Sequence, residues 1–231
     1  RTGLGLTALG DTLAGLGVRY GSAESREITD EILRTQKVEA YRESVNLAKE
    51  RGAFDIYDHS RERGNEFIER LREDDPELVE EMEEHGRRNI AVLSIAPTGT
   101  VSQMAETTSG IENLFQPFYQ RRRKVNPDDE EVEVDFVDDV GDAWQEFIVF
   151  HPRFKQYLDI QEYDVDTDDP DMERLEEIRK ESPYDGATVS DVDWVSKVKL
   201  QGVIQKHIDH SISVTTNLPE DIGVERVKDV Y

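Results

Sequence analysis

Cysteine is absent from the 231 residues of the sequence, so disulfides, thiolate metal sites and cysteine nucleophiles are excluded from this chain. No apolar run is long enough to span a membrane, and the start lacks the signal-peptide pattern of basic residues followed by an apolar stretch. We therefore expect a cytoplasmic protein without a membrane partner. Because the sequence begins with Arg1 rather than Met, we expect a piece of a longer protein or a processed product.

Basic residues are scarce: 28 Lys and Arg stand against 52 Asp and Glu, which gives a formal net charge of −24. A surface of this sign repels nucleic acids and anionic membranes, so no nucleic acid is expected as a partner. A disordered acidic tail, a basic partner or adaptation to high salt would each explain the charge. Apolar periodicity runs through most of the chain and argues against a tail. We favour the halophilic interpretation.

Hydrophobic residues make up only 36% of the chain, yet their spacing predicts regular structure. The clearest helix is predicted over residues 22–52, with Ser22 as its N-cap and Gly52 as its C-terminal stop. The apolar stripes in residues 28–32 and 41–48 do not share one helical face. A bend or break is therefore expected between the two halves of this helix.

Shorter elements are predicted from the same patterns. Helices are expected within residues 2–17, 61–71, 76–85, 143–150 and 172–180, from residue 101, from residue 190 and near the end of the chain. Extended segments are expected at residues 89–96, 115–125 and 211–217, and an acidic hairpin or loop at residues 126–139. The predicted fold class is α+β, mostly helical, with a length that suits one large domain or two small ones.

Two motifs suggest ligand sites, but each has a simpler structural explanation. Gly3-Leu4-Gly5 lacks the spacing and the preceding strand of a dinucleotide-binding turn, so close helix packing through glycine is the preferred interpretation. His207 and His210 lie three residues apart on a predicted helix and could face one metal ion. A pair of surface histidines is the stronger prediction, and no metal-binding residue is assigned.

A dense basic cluster, Arg121-Arg122-Arg123-Lys124, interrupts the acidic sequence. Guanidinium groups bind phosphate well, so this cluster could meet a phosphate group. It could also pair with the acidic residues 130–133 across a hairpin. Ion pairing is the favoured prediction.

The most informative local feature is an apolar, strand-like segment that ends in Pro97-Thr98-Gly99-Thr100 and continues as a predicted helix. A strand that turns into a helix leaves free backbone N–H groups at the helix start, where the helix dipole also favours an anion. Gly99 allows a ligand to approach the backbone closely. The hydroxyls of Thr98, Thr100 and Ser102 add hydrogen-bond donors. This segment is predicted to bind an anion.

Four segments, in the same order along the chain, resemble the large catalytic subunit of ribonucleotide reductases. They are RTGLGLTALGDTLAGLGVRYGS (residues 1–22), ESVNLAKERGAF (43–54), HGRRNIAVLSIAPTGTVSQMAETTSGIE (85–112) and QGVIQKHIDHSISVTTNLP (201–219). The APTGT form, the TSGIE after it and the arginine run resemble most the adenosylcobalamin-dependent class II type. Asn113-Leu114 departs from the Pro-Val that is usual at this point in that class.

The resemblance implies that residues 1–231 are the C-terminal part of a catalytic domain, a ten-stranded α/β barrel. That family reduces ribonucleotides to 2′-deoxyribonucleotides by thiyl-radical chemistry. Its radical cysteine and redox cysteine pair have no counterpart here, so no catalytic residue is assigned and the chain alone is expected to be inactive. By motif match, the residues expected to hold the substrate's phosphates are Pro97, Thr98, Gly99, Thr100 and Val101.

The class II resemblance implies adenosylcobalamin as cofactor, bound mainly outside this chain, and the alternative is a class I enzyme with a di-iron radical partner subunit. The implied partners are a ribonucleoside di- or triphosphate and a dithiol reductant such as thioredoxin, with homodimer formation left open. Two other classes of function stay open. One is a nucleotide- or phosphate-binding module without catalysis, and the other is a structural piece that serves assembly.

Overall fold

The computed structural model describes residues 1–126, 134–166, 169–218 and 221–228. In these ranges the chain forms nine α-helices, a short 3-10 helix (His59–Glu62) and a three-stranded sheet. The elements are α1 (Leu9–Gly15), α2 (Ala23–Arg51), α3 (Glu66–Asp74), α4 (Pro76–His85), α5 (Gly99–Ala105), β1 (Phe118–Lys124), β2 (Phe136–Val137), β3 (Ala143–Phe150), α6 (Pro152–Ile160), α7 (Met172–Glu181), α8 (Trp194–Gln205) and α9 (Val224–Val227). The predicted α+β, mostly helical class is confirmed. Within the same ranges, no helix combines the length and the apolar character that crossing a membrane requires.

Helix α2 runs without interruption over 29 residues, so the predicted bend is wrong. Its ends are as predicted: the side chain of Ser22 accepts a hydrogen bond from the backbone N–H of Ser25, and Gly52 ends the helix with a φ of 79°. The buried face repeats every three to four residues and includes the polar residues Thr29 and Lys37. These polar members complete a periodicity that the apolar residues alone leave broken.

The main hydrophobic core lies where α3, α4 and α8 pack against α2. Lys37 is only 1% exposed, and its ammonium lies 2.5 Å from Asp74 Oδ2 and over the ring of Phe67. Burial of this lysine is therefore compensated by an ion pair and a cation–π contact. The predicted helix over residues 76–85 is confirmed as α4. The predicted helix over residues 61–71 is wrong in its bounds, because the chain forms a 3-10 turn before α3 begins.

Residues 143–150 form strand β3 rather than the predicted helix. Strand β3 lies between β1 and β2, and its antiparallel register pairs Phe150 with Phe118 and Trp144 with Lys124. Its aromatic and β-branched residues suit a pleated sheet. Its main hydrogen-bonding partner is β1, which lies earlier in the chain. The extended segment predicted at residues 115–125 is confirmed as β1. Residues 127–133 of the predicted acidic hairpin lie outside the described residues.

Three parallel segments form the support beneath the predicted anion site. Isolated backbone bridges join Leu4 to Leu93 and Ile95 to Ile212, so the segment around Leu93 lies between the other two. The predicted strand at residues 89–96 is thus extended and largely buried, but it is paired by single bridges rather than by a regular ladder.

The Gly3-Leu4-Gly5 motif allows two of these segments to approach each other. A Cβ added at Gly5 would lie 2.1 Å from the carbonyl oxygen of Ser94, a distance that a real side chain cannot adopt. The motif therefore packs an extended segment rather than a helix, which corrects the predicted helix packing. The helix predicted within residues 2–17 is limited to α1.

Candidate functional site

The five predicted phosphate-binding residues lie together at the start of α5 and are referred to below as the 97–101 turn. Pro97, Gly99, Thr100 and Val101 are exposed, and Thr98 is half-buried. Thr98 precedes the helix in the left-handed region, with φ of 50° and ψ of 23°. This conformation is unfavourable for a residue with a Cβ, so the surrounding contacts must hold it.

The hydroxyl of Thr98 supplies those contacts. It accepts a hydrogen bond from the backbone N–H of Gly110 at 2.7 Å and lies 3.2 Å from the hydroxyl of Thr7. The same Gly110 N–H is 3.0 Å from Thr7 Oγ1, and that hydroxyl donates to the carbonyl of Thr108 at 3.2 Å. Thr7, Thr98 and the loop around Gly110 therefore fix one another across the parallel segments.

The backbone of the 97–101 turn keeps unused hydrogen-bond donors. Among the described residues, none accepts a hydrogen bond from the N–H groups of Gly99, Thr100 or Val101. A Cβ added at Gly99 would meet no atom within 4 Å, so the space in front of the turn is open. Three free N–H groups at the start of a helix, next to open space, are suited to bind an anion.

Two of the three predicted hydroxyl donors serve the loop instead of a ligand. The Thr98 hydroxyl is occupied by Gly110, and the Ser102 hydroxyl donates to the carbonyl of Gly99 at 2.8 Å. The Thr100 hydroxyl makes no hydrogen bond with the described residues. Thr100 thus fits the expected donor role better than Thr98 or Ser102.

A buried cluster that sequence patterns did not reveal joins α1 to the loop after α5. Asp11 Oδ1 lies 2.8 Å from His151 Nε2 and accepts from the Tyr184 hydroxyl at 3.3 Å, while Asp11 Oδ2 accepts from the backbone N–H of Thr108 at 2.7 Å. Burial, together with the charge of Asp11, raises the pKa of the Tyr184 hydroxyl. No spacing in the sequence connects these residues, because they come from four separate parts of the chain.

A second cluster missed by sequence reasoning is the ion pair between buried Lys197 and half-buried Glu112. Lys197 Nζ donates to Glu112 Oε2 at 2.5 Å and to Asn113 Oδ1 at 3.1 Å. Glu112 Oε1 accepts from the backbone N–H of Thr215 at 2.6 Å. The pair therefore connects the loop after α5 to α8 and to the parallel segment around Ile212.

These clusters border a cavity of about 530 Å³, referred to below as the Lys197 cavity. Its floor includes the buried residues Asn113, Leu114 and Lys197. Ser102 and Ser109 contribute to its wall, and the Ser109 hydroxyl donates to the carbonyl of Pro97 at 2.8 Å. The cavity and the 97–101 turn are therefore neighbours.

The two histidines considered as metal ligands do not form a site. His207 is buried with Nε2 at 2.9 Å from Asp30 Oδ1, whereas His210 is exposed. The predicted surface pair is thus wrong for His207. Burial lowers the pKa of the His207 imidazole below its usual 6.5, although the hydrogen bond to Asp30 acts in the opposite direction. Within the described ranges, no cluster of three or more His, Cys, Asp or Glu could hold a metal ion.

The basic cluster pairs with acidic residues of β3 and its preceding turn. Arg122 Nε lies 2.7 Å from Glu146 Oε1, and Lys124 Nζ lies 2.5 Å from Asp142 Oδ2. The favoured prediction of ion pairing is confirmed for these two residues. The predicted partners at residues 130–133 lie outside the described residues.

Comparison with known proteins gives a family match over the whole chain. The sequence-family model described as "Ribonucleotide reductase, barrel domain" matches residues 1–231. A vitamin B12-dependent ribonucleoside-diphosphate reductase of Mycobacterium tuberculosis is 29% identical, with 100% of this chain and 29% of that protein covered. The protein of the same name from Thermoplasma acidophilum is 26% identical, and the match covers 100% of this chain and 26% of that protein. The chain thus spans less than a third of the length of these relatives.

A solved structure shows the same fold. The class Id ribonucleotide reductase alpha subunit of Actinobacillus ureae superposes with a TM-score of 0.61 over 98% of this chain and 35% of that chain, at 16% identity. The described helices and strands therefore fit part of such a barrel. The chain belongs to the ribonucleotide reductase family and forms part of its barrel domain.

Proposed function

We propose that this chain is the C-terminal part of the barrel domain of a ribonucleotide reductase and that it holds the phosphates of a ribonucleoside diphosphate. The whole enzyme would reduce this substrate to the 2′-deoxyribonucleotide. The family match over residues 1–231 supports the assignment. The relatives that match the full chain and are named as diphosphate reductases support the choice of a diphosphate.

The observation that carries the proposal is the set of free N–H groups at Gly99, Thr100 and Val101 beside open space. These groups bind the phosphates without a lysine or arginine, which suits a strongly acidic protein. Holding the phosphates at a fixed turn also fixes the ribose relative to the reacting groups, and such positioning lowers the barrier of the chemical step. The role of this chain is therefore binding and orientation.

Substitution of Gly99 by Val tests the proposal. The Cβ of the Val would have no neighbouring atom within 4 Å, so the side chain would enter the open space where the phosphates are proposed to bind. In the full-length enzyme we expect Gly99→Val to weaken binding of a ribonucleoside diphosphate while the melting temperature changes little. Binding of the matching nucleoside, which has no phosphate, should be unaffected. An unchanged affinity for the diphosphate would exclude the 97–101 turn as the phosphate site.

The relatives named as vitamin B12-dependent favour adenosylcobalamin as the cofactor of the whole enzyme. The cofactor supplies the radical for the chemistry when bound. The Lys197 cavity has the volume usual for a drug-sized ligand, which is far smaller than a corrinoid. This cavity therefore does not fit the cofactor, and we propose that the cofactor binds mainly outside this chain.

The remaining partners follow from the same assignment. The chain has no cysteine, so the radical and the redox thiols must come from elsewhere in the enzyme, and the isolated chain should not reduce any ribonucleotide. A dithiol reductant such as thioredoxin would restore the redox pair, and a homodimer is the assembly to test. The net charge of −24 is best explained by adaptation of the enzyme to high salt.

A further inference from the structure

The loop that follows α5 lies on the start of α1. The first N–H groups of a helix have no acceptor within the helix, so they need partners elsewhere. The N–H of Ala8 donates to the carbonyl of Thr108 at 3.1 Å, and that of Leu9 donates to the carbonyl of Gly110 at 3.2 Å. The N–H of Asp11 donates to the Thr108 hydroxyl at 3.2 Å. The start of α1 therefore sets the position of this loop.

The side chain of Asp11 completes the contact between α1 and the loop. Its Oδ2 accepts from the backbone N–H of Thr108 at 2.7 Å, which is shorter than the three contacts above. Asp11 and Thr108 are thus joined in both directions, each donating a backbone N–H to the side chain of the other. A carboxylate is a stronger acceptor than a neutral oxygen, so its loss should loosen the loop.

Two groups on the far side of Asp11 fix the orientation of its carboxylate. Oδ1 lies 2.8 Å from His151 Nε2 and accepts from the Tyr184 hydroxyl at 3.3 Å. The side chain of Asp11 is only 8% exposed. A buried carboxylate with hydrogen-bond partners on both oxygens has little freedom to rotate. Oδ2 is therefore kept directed at Thr108.

The loop transmits this position to the 97–101 turn. The N–H of Gly110, two residues after Thr108, donates to the Thr98 hydroxyl at 2.7 Å. The hydroxyl of Ser109 donates to the carbonyl of Pro97 at 2.8 Å. Thr98 depends on such contacts because its φ of 50° is unfavourable for a residue with a Cβ. A shift of Thr108 would thus displace the residues that lead into α5.

We propose that Asp11 is a positioning residue for the phosphates of the substrate. It holds the loop around Thr108, and that loop holds Thr98 in the conformation that leaves the N–H groups of the 97–101 turn free. This inference rests on the proposed function of the turn. The alternative is that Asp11 only stabilises the fold. Its loss would then lower the melting temperature and leave phosphate binding by the folded protein unchanged.

Substitutions of Asp11 in the full-length enzyme separate these two roles. Asp11→Ala removes the acceptor of the Thr108 N–H, so the affinity for a ribonucleoside diphosphate should fall roughly 3- to 10-fold. Asp11→Asn keeps a side-chain oxygen that can accept the same N–H, and it should restore most of the affinity. Calorimetric titration measures both effects, at a temperature at which circular dichroism shows every variant to be folded.

Tyr184→Phe is the matched control. It removes a hydrogen bond to the other oxygen of the same carboxylate, and His151 still holds that oxygen. This variant should lose stability in thermal melts and keep the parent affinity. If Tyr184→Phe binds as weakly as Asp11→Ala, or if Asp11→Asn shows no recovery, the effect reflects a general loss of stability and the positioning role is overturned.

Hydrogen exchange in the ligand-free enzyme reports on the loop itself. The N–H groups of Thr108 and Gly110 should exchange faster in Asp11→Ala than in the parent, and at nearly the parent rate in Asp11→Asn. Unchanged exchange at Gly110 in Asp11→Ala would overturn the proposal.

Failure of this inference is distinguishable from failure of the phosphate site. If Gly99→Val weakens diphosphate binding and Asp11→Ala does not, only the role of Asp11 is lost. If Gly99→Val leaves the affinity unchanged, the phosphate site is lost, and the role of Asp11 falls with it.

Discussion

The hydroxyl of Tyr41 donates a 2.6 Å hydrogen bond to Asp209 Oδ2, across 168 residues of sequence. Asp209 also accepts from the backbone N–H groups of Val92 and Leu93, each at 2.8 Å. One carboxylate thus fixes the middle parallel segment to the loop after α8, and Tyr41 holds that carboxylate from α2. The 97–101 turn depends on this arrangement because it continues directly from the middle segment.

Tyr41→Phe should lower the free energy of unfolding by about 1.5–3 kcal/mol, the usual contribution of a hydrogen bond to a charged acceptor. Asp209→Ala should cost more, because it leaves the Tyr41 hydroxyl and two backbone N–H groups without an acceptor. Urea denaturation measures both effects. Tyr119→Phe serves as the control, since the Tyr119 hydroxyl makes no hydrogen bond with the described residues. Equal stabilities of the Tyr41 and Tyr119 variants would show that the bond contributes nothing.

Thr7 should act on phosphate binding without touching the ligand. Its hydroxyl contacts Thr98 and Gly110, and these contacts hold Thr98 in its left-handed conformation. Thr7→Val keeps the shape and removes the hydroxyl, so we expect a roughly 3- to 10-fold weaker affinity for a ribonucleoside diphosphate. Thr7→Ser retains the hydroxyl and should restore most of that affinity. A serine variant as weak as the valine variant would contradict this role.

Stability should fall in acid partly because of His207. Burial keeps the pKa of this imidazole below 6.5 in the folded state, so the unfolded chain binds the proton more readily. The contribution of His207 to stability is therefore complete above about pH 6.5, the usual value, and is lost as the pH falls toward the lowered folded pKa. Urea titrations between pH 7.5 and 5 measure this slope.

The two histidines that follow α8 provide a matched comparison for the pH effect. His207→Gln should show a shallower loss of stability between pH 7.5 and 5 than the parent protein. His210→Gln alters an exposed histidine and should keep the parent slope. Parallel pH profiles for the parent protein and the His207 variant would show that His207 is not responsible.

The acidic surface predicts a strong response to salt. Helix α4 alone carries five glutamates in ten residues, at positions Glu77, Glu80, Glu81, Glu83 and Glu84. The Debye length falls from about 30 Å at 0.01 M salt to about 3 Å at 1 M, so molar salt screens most of the repulsion between such groups. The melting temperature should therefore rise from low to molar KCl. A flat or falling melting temperature would point to a basic partner instead of high-salt adaptation.

Features that depend on a few neighbouring residues were predictable from the sequence. Ser22 and Gly52 mark the ends of α2, and the range of α4 follows from Pro76, because a helix cap is decided within about four residues. The 97–101 turn was also recognisable, since a strand, a Gly-containing turn and a helix follow one another directly. The family resemblance rested on the same local segments.

Features that depend on residues far apart in the sequence were decided only by the tertiary structure. Strand β3 is a strand because β1 lies beside it, and Lys37 is buried because Asp74 meets its charge. The Lys197–Glu112 pair joins residues 85 positions apart, and the Thr7–Thr98 contact joins residues 91 apart. Hydrophobic periodicity and helix-capping signals do not reveal such pairs. The free energy that selects a pair arises only when packing removes both partners from water.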